Sequence, residues 1–148
     1  MIDTKNDLTF KAVLSLGSNL GDRHFYLTEA TKHIEKQTGK IVEKSSVYET
    51  EAWGFDAPPF LNQVIVVLTS LSPWQLLEQL QNIEKQLGRT QKSKTVNEKT
   101  NYQNRSIDID ILLYDKLKIN SEELTIPHPL IGQRDFVKIP LAELKINY

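Results

Sequence analysis

Residues 105–114 have the sequence RSIDIDILLY, in which isoleucine and aspartate alternate. Alternation with β-branched residues predicts a β-strand, whose successive side chains point to opposite faces. The three isoleucines should therefore face one way, and Asp108 and Asp110 the other. Burying two adjacent carboxylates costs several kcal/mol unless a positive charge lies between them. Either this is an ordinary edge strand with one solvated face, or it binds Mg²⁺, which one or two carboxylates and substrate phosphates usually hold.

The composition predicts a single globular domain over residues 1–148, with residues 1–10 as a flexible N-terminal extension. The 148 residues are enough for a hydrophobic core, and the absence of cysteine excludes disulfides and thiolate metal sites. A net charge of -1 provides no global field for nucleic acid or an anionic membrane. No segment has the length or apolar character of a membrane span or signal peptide. We therefore expect a cytoplasmic monomer with no nucleic-acid or membrane partner.

Periodicity and capping residues predict four strands and two helices. The strands are expected at residues 10–16, 40–48, 60–71 and 105–114. The helices should begin at the N-caps Asp22 and Ser72 and be closed by Gly39 and Gly88. Their inward residues are expected to be Leu27, Ala30 and Ile34 in the first helix, and Leu76, Leu80, Ile83 and Leu87 in the second. The order βαββαβ predicts an α+β, ferredoxin-like fold: an antiparallel sheet with its helices packed on one face.

A polar, basic segment, residues 89–104, separates the second helix from the Asp-bearing strand. A structureless loop of this length indicates either function or disorder. Arg89 and Arg105 bracket it, and Arg134 follows further along. The planar guanidinium suits phosphate because it donates two parallel hydrogen bonds. His128, between two prolines, could hydrogen-bond a phosphate or serve a structural role.

Two phenylalanines and an amide form a second candidate group. Phe60 lies two residues before Asn62, and Phe136 follows Arg134 by two. Two phenyl rings could stack on a flat heterocycle whose hydrogen-bonding edge the amide recognises, although either ring could simply pack in the core.

Together these motifs resemble the 6-hydroxymethyl-7,8-dihydropterin pyrophosphokinase family over about residues 12–144. The resemblance rests on GSNLG (17–21), YET (48–50), FLN (60–62), IEKQLGR (83–89), RSIDID (105–110), PHP (127–129) and RDF (134–136). It implies a Mg²⁺-dependent enzyme of folate biosynthesis that transfers pyrophosphate from ATP to the pterin and releases AMP.

The resemblance also assigns site residues. Asp108 and Asp110 would hold two Mg²⁺ ions, and with Arg89 and Arg105 they would form the catalytic group. The ATP site would comprise Gln81, Glu84, Arg89, Tyr102, Arg105, Ile111, Thr125, His128 and Arg134. The pterin site would comprise Thr50, Trp53, Phe60, Asn62 and Phe136. The chain departs from the family pattern where Gln91 replaces a second arginine and Tyr102-Gln103-Asn104 replaces Trp-Gly-Pro.

Two other functions are compatible with parts of this pattern. One is a different Mg²⁺-dependent nucleotide transferase with the same aspartate pair. The other is a ferredoxin-like module that binds a small ligand or RNA without catalysis. A sheet that binds RNA presents aromatic and basic residues, whereas this strand presents acids, so the sequence favours the enzyme.

Overall fold

A computed structural model describes residues 10–51, 58–88 and 106–148 of this protein. The first strand begins at Phe10, as predicted, although Phe10 was also counted as the last residue of the N-terminal extension. In chain order the elements are β1 (Phe10–Ser18), α1 (Arg23–Gln37), β2 (Gly39–Lys44), β3 (Tyr48–Thr50), β4 (Phe60–Thr69), α2 (Pro73–Gln86), β5 (Asp108–Tyr114), β6 (Ile119–Asn120), β7 (Thr125–Ile126) and α3 (Asp135–Glu143). In these ranges no helix is long and apolar enough to cross a membrane.

The main sheet is antiparallel, as predicted. Its strands lie in the order β2–β4–β1–β5, and β3 pairs with β4 beyond the end of β2. The predicted second strand is divided into β2 and β3 because Ser45 interrupts it. The Ser45 hydroxyl accepts a hydrogen bond from Val64 N at 3.0 Å, and the Ser45 backbone N–H donates to Val64 O at 2.8 Å.

The predicted starts of both long helices are confirmed. The Asp22 side chain accepts a hydrogen bond from Phe25 N at 3.1 Å. Ser72 and Gln75 form a reciprocal capping box, in which each side chain accepts from the other residue's backbone N–H. The predicted inward residues Leu27, Ala30, Ile34, Leu76, Leu80 and Ile83 are buried, and Leu87 is partly buried.

Gly39 and Gly88, which were expected to close the two helices, have different roles. Gly88 has φ +94°, a left-handed conformation that ends α2 as expected. Gly39, expected to close α1, instead begins β2, and Thr38 caps the helix. A Cβ on Gly39 would overlap the Leu68 carbonyl, so close approach of β2 to β4 is what requires glycine there.

The two predicted helices pack on one face of the sheet, as expected, and a third helix that was not predicted covers the other face. The helices α1 and α2 pack on the face that carries the main core, with Leu14, Leu16 and Ile65 at its centre. The tail, for which no helix was predicted, forms α3 against a second core on the opposite face. That core contains Val13, Val64, Val66, Leu112, Ile131, Val137 and Leu141. Strand β4 is therefore apolar on both sides and needs cover on both.

Candidate active site

Asp108 and Asp110 lie on the face of β5 that is opposite α1 and α2. Asp108 pairs with Gly17 of β1, and Asp110 pairs with Ser15. Both aspartates are partly buried, whereas Ile107, Ile109 and Ile111 are buried in the main core. The alternation in the sequence therefore predicted the two faces of β5 correctly. The two carboxylates lie together on the face of the sheet that α3 covers.

His128 lies beside these carboxylates. Its Nε2 is 3.9 Å from Asp110 Oδ2, and the two side chains are 20% and 35% exposed, so a ligand can reach both. The His128 backbone N–H donates to Leu112 O at 3.0 Å, which fixes this segment along β5. Nδ1 accepts a hydrogen bond from Leu130 N at 3.1 Å, so in the neutral ring the proton lies on Nε2, towards Asp110.

The environment of His128 favours its neutral form. Burial lowers the pKa of the imidazole, the positive charge of Arg134 lowers it further, and Asp108 opposes both effects. The ring is therefore a neutral donor at pH 7 rather than a cation. Arg134 N-caps α3, and its guanidinium carbon lies 5.4 Å from the centre of the Phe136 ring, in a cation–π contact.

Phe60, Asn62 and Thr50 form a second group on the same face of the sheet. The side chain of Asn62 is buried, and its Nδ2 donates to Thr50 Oγ1 at 2.7 Å. Across the sheet Asn62 pairs with Gly17, which in turn pairs with Asp108. Two spacings between strands, about 10 Å in all, separate the backbone of Asn62 from that of Asp108. A small ligand could therefore contact the amide and the carboxylates at once.

Gly17 leaves the space that this second group occupies. A Cβ at position 17 would lie 3.2 Å from Asn62 Oδ1 and 3.4 Å from Cδ2 of the Phe60 ring. Glycine therefore gives these side chains room beside β1, and a Cβ at position 17 would make a neighbour shift by a few tenths of an ångström. The sequence showed the glycine-containing turn but gave no reason for this particular residue.

The helix α3 is fixed to the strand that carries Thr50. The carboxylate of Glu143 accepts hydrogen bonds from Ser46 N and Oγ and from the Tyr48 hydroxyl, the last at 2.6 Å. The hydrogen bond from Tyr48 lowers the pKa of Glu143, and the same bond raises the pKa of Tyr48. These contacts set where α3, and with it Phe136, lies over the sheet.

The family can now be assigned. Residues 13–146 match the sequence model described as 7,8-dihydro-6-hydroxymethylpterin-pyrophosphokinase. This chain belongs to that family. The pyrophosphokinase motifs that first suggested it, from the glycine turn to the Arg134-Asp135-Phe136 block, fall within the matched residues.

Named relatives agree with this assignment. The 2-amino-4-hydroxy-6-hydroxymethyldihydropteridine pyrophosphokinase of Porphyromonas gingivalis is 48% identical over 133 residues, which cover 88% of either chain. The protein of the same name from Bacillus subtilis is 42% identical over 135 residues, covering 90% of this chain and 77% of that protein.

A solved structure supports the fold alone. The HPPK-DHPS protein of Plasmodium falciparum with pteroate superposes with a TM-score of 0.68 at 19% identity, over 90% of this chain. This chain spans 38% of that longer protein.

The other residues that the pyrophosphokinase pattern assigns to the nucleotide site lie on several different elements. Gln81 is exposed on α2, and Thr125 is partly buried in β7. The side chain of Ile111 is buried in the main core, on the other side of β5 from the two aspartates, so this side chain faces away from them. Arg89, Tyr102, Arg105 and Trp53 lie outside the residues that the structure describes.

Glu84 has a contact that the sequence did not predict. It is buried, and its Oε2 accepts a hydrogen bond from Ile109 N at 2.7 Å. The carboxylate thus holds the backbone of β5 between the two aspartates. The position of Glu84 beside Ile83, at the border of the apolar stripe of α2, was the one sign that it would be buried.

Proposed function

We propose that this chain carries out the pyrophosphoryl transfer of its family at the face of the sheet that holds Asp108, Asp110 and Asn62. The reaction moves the pyrophosphoryl group of ATP to 6-hydroxymethyl-7,8-dihydropterin in folate synthesis. The observation that supports this site is the row Asn62–Gly17–Asp108 across three strands. This row places Asn62, which can recognise a heterocycle, near Asp108, which can hold a metal ion and its phosphate ligands. A single small molecule could therefore contact both residues.

The carboxylates fit Mg²⁺. Asp108 and Asp110 are hard oxygen donors, both partly buried, and neutral His128 beside them adds no competing positive charge. Within the described ranges no group of three or more acidic or histidine residues could hold a metal ion. The remaining positions around two Mg²⁺ ions would therefore go to phosphate oxygens and water. The bound metal would supply positive charge where negative charge accumulates on the phosphate oxygens.

The protein's own residues would orient the two substrates. Phe60 and Phe136 would stack on the pterin, and Asn62, held by Thr50, would recognise its hydrogen-bonding edge. By resemblance to the family, the backbones of Thr50 and Trp53 would hydrogen-bond the pterin.

At the other substrate, Arg134 and His128 Nε2–H would donate to the phosphates, with Arg89 and Arg105 as further cations. Gln81, Glu84, Tyr102, Ile111 and Thr125 complete the proposed nucleotide site. Such transfer depends on alignment and charge neutralisation and needs no dedicated base.

The direct test mixes the purified chain with Mg²⁺, ATP and the hydroxymethyl pterin and measures AMP. AMP that forms only when both metal and pterin are present supports the proposal. Formation of ADP or pyrophosphate would instead indicate another nucleotide transferase. Pterin binding without any nucleotide turnover would indicate a ligand-binding module.

Asp110→Asn tests the metal site. We expect turnover to fall by about a thousandfold or more, while the free energy of unfolding stays close to that of the unchanged chain. Asp115→Asn is the matched control. It lies just past the end of β5, has φ 48°, and accepts from Lys11 N at 2.9 Å, all of which asparagine can reproduce. Retention of most activity in Asp110→Asn would refute the metal assignment.

A further inference from the structure

Arg23, the first residue of α1, joins two strands through one nitrogen. Its Nη1 donates to Glu49 Oε2 at 2.8 Å and to the Pro59 carbonyl oxygen at 2.9 Å. Glu49 is the middle residue of β3, and Pro59 immediately precedes β4. The arginine side chain is 28% exposed, so water screens these contacts only in part.

Asn19 supports the same segment from the turn before α1. Its side chain is buried, and Nδ2 donates to the Pro58 carbonyl oxygen at 3.1 Å. Proline has no backbone N–H, so the carbonyl is the hydrogen-bonding group that Pro58 and Pro59 each offer. Asn19, in the turn after β1, and Arg23, at the start of α1, therefore hold consecutive carbonyls just before β4.

Arg23 acts from the face opposite the substrates. Glu49 pairs with Leu61, which belongs to the main core under α1 and α2. The neighbouring pair, Thr50 and Phe60, points to the other face. Arg23 thus contacts the strands that carry the proposed pterin residues without reaching the pterin side.

The pairing that Arg23 supports is short. The strand β3 has three residues, and its pairing with β4 covers only those three positions. Few backbone hydrogen bonds hold so short a pair, whereas the facing of β4 is fixed by its long pairing with β1. A slip of β3 by one residue would turn Thr50 to the opposite face and remove the hydrogen bond that holds Asn62. A side chain that ties β3 to the start of β4 opposes such a slip.

We infer that Arg23 is a positioning residue that fixes the register of β3 on β4 and so sets the affinity for the pterin. The inference rests on the proposed function. It predicts that loss of Arg23 weakens pterin binding selectively, because the proposed ATP residues that the structure describes lie on α2, β5, β7 and the segment after β7.

The test compares Arg23→Met, which keeps the length of the side chain but removes its donors, with two other variants. Glu49→Gln retains an oxygen that can accept from Arg23. Lys32→Met, on the same helix, removes an exposed ion pair of 3.4 Å with Glu29 and serves as the control. KM for pterin, KM for ATP and kcat are measured in each.

We expect KM for pterin to rise roughly three- to tenfold in Arg23→Met, less in Glu49→Gln and not at all in Lys32→Met. KM for ATP should change by less than about twofold. Amide hydrogen exchange at residues 48–50 and 60–62 should accelerate in Arg23→Met and remain unchanged in the control. If Arg23→Met does not fold, Arg23→Lys, which keeps the charge but loses the fork, provides the same comparison.

An unchanged KM for pterin in an active Arg23→Met enzyme would overturn the inference. An equal loss in both KM values would also overturn it, since that pattern indicates general disruption. If the unaltered chain forms no AMP at all, the proposed function fails and this inference fails with it. Activity of the unaltered chain therefore separates the two failures.

Discussion

Replacing Gly17 by alanine places a methyl group at the centre of the proposed site. The new Cβ would lie 3.2 Å from Asn62 Oδ1 and 3.4 Å from the Phe60 ring. At the first distance a neighbour must shift by a few tenths of an ångström. The side chain of Asn62 is not free to move without loss, because its Nδ2 donates to Thr50 Oγ1 at 2.7 Å.

Two effects of this substitution on the free energy of unfolding oppose each other. Alanine reduces the conformational freedom of the unfolded chain, which stabilises the fold by about 0.4–1 kcal/mol. Overpacking against Asn62 and Phe60 destabilises it by about 1–3 kcal/mol. We therefore expect a net destabilisation of about 0–2.6 kcal/mol. The displaced ring and amide should raise KM for pterin about tenfold, which corresponds to about 1.4 kcal/mol of binding free energy.

The assay measures thermal stability and the two KM values, with Gly132→Ala as the control. A Cβ at Gly132 would meet the Tyr148 ring at 3.7 Å, an ordinary contact. The control should be neutral or slightly stabilising and should bind both substrates normally. The packing argument would be refuted if Gly17→Ala matched Gly132→Ala in both stability and KM for pterin.

Three further predictions concern His128, the second core and α3. The pKa of His128 is lowered from 6.5, so the folded state binds this proton less readily than the unfolded chain does. This contribution to the free energy of unfolding is fully present above pH 6.5 and is lost as the pH falls. When the pH is lowered from about 7.5 to about 5.5, the urea midpoint should therefore decrease more in the unaltered chain than in His128→Gln. An equal decrease in the urea midpoint of both proteins would contradict the lowered pKa of His128. Leu141→Ala, at a fully buried position of α3, should lower the free energy of unfolding by about 2–5 kcal/mol in denaturant titration, and a loss below about 1 kcal/mol would mean that α3 is not part of the core. Glu143→Gln should lower the pKa of Tyr48, followed by NMR of its ring carbons, and an unchanged titration would show that the hydrogen bond is not formed in solution.

Local patterns predicted those parts of the fold that depend on neighbours in the chain. The caps at Asp22 and Ser72 were predicted correctly because an N-cap is a contact across two or three residues. The facing of Asp108 and Asp110 followed from the period of two in a strand. The candidate ligand groups were recognised from residue type and from resemblance to the pyrophosphokinase family.

Long-range packing decided the rest. The tail became a helix because the apolar residues on the second face of β1 and β4 needed cover, and no pattern within residues 135–143 showed that requirement. The need for glycine at positions 39 and 17 arises from strands that lie far away in the sequence.

By itself, then, the sequence determined the two faces of β5, the starts of the two long helices, the end of α2 and the identity of the chemical groups. Only the tertiary structure decided that His128 lies beside Asp110, that Glu84 holds the backbone of β5, and that Arg23 braces β3 against β4. The physical reason is distance along the chain. Periodicity and capping act over a few residues, whereas these contacts join residues separated by 18 or more positions, and only the packed sheet brings them together.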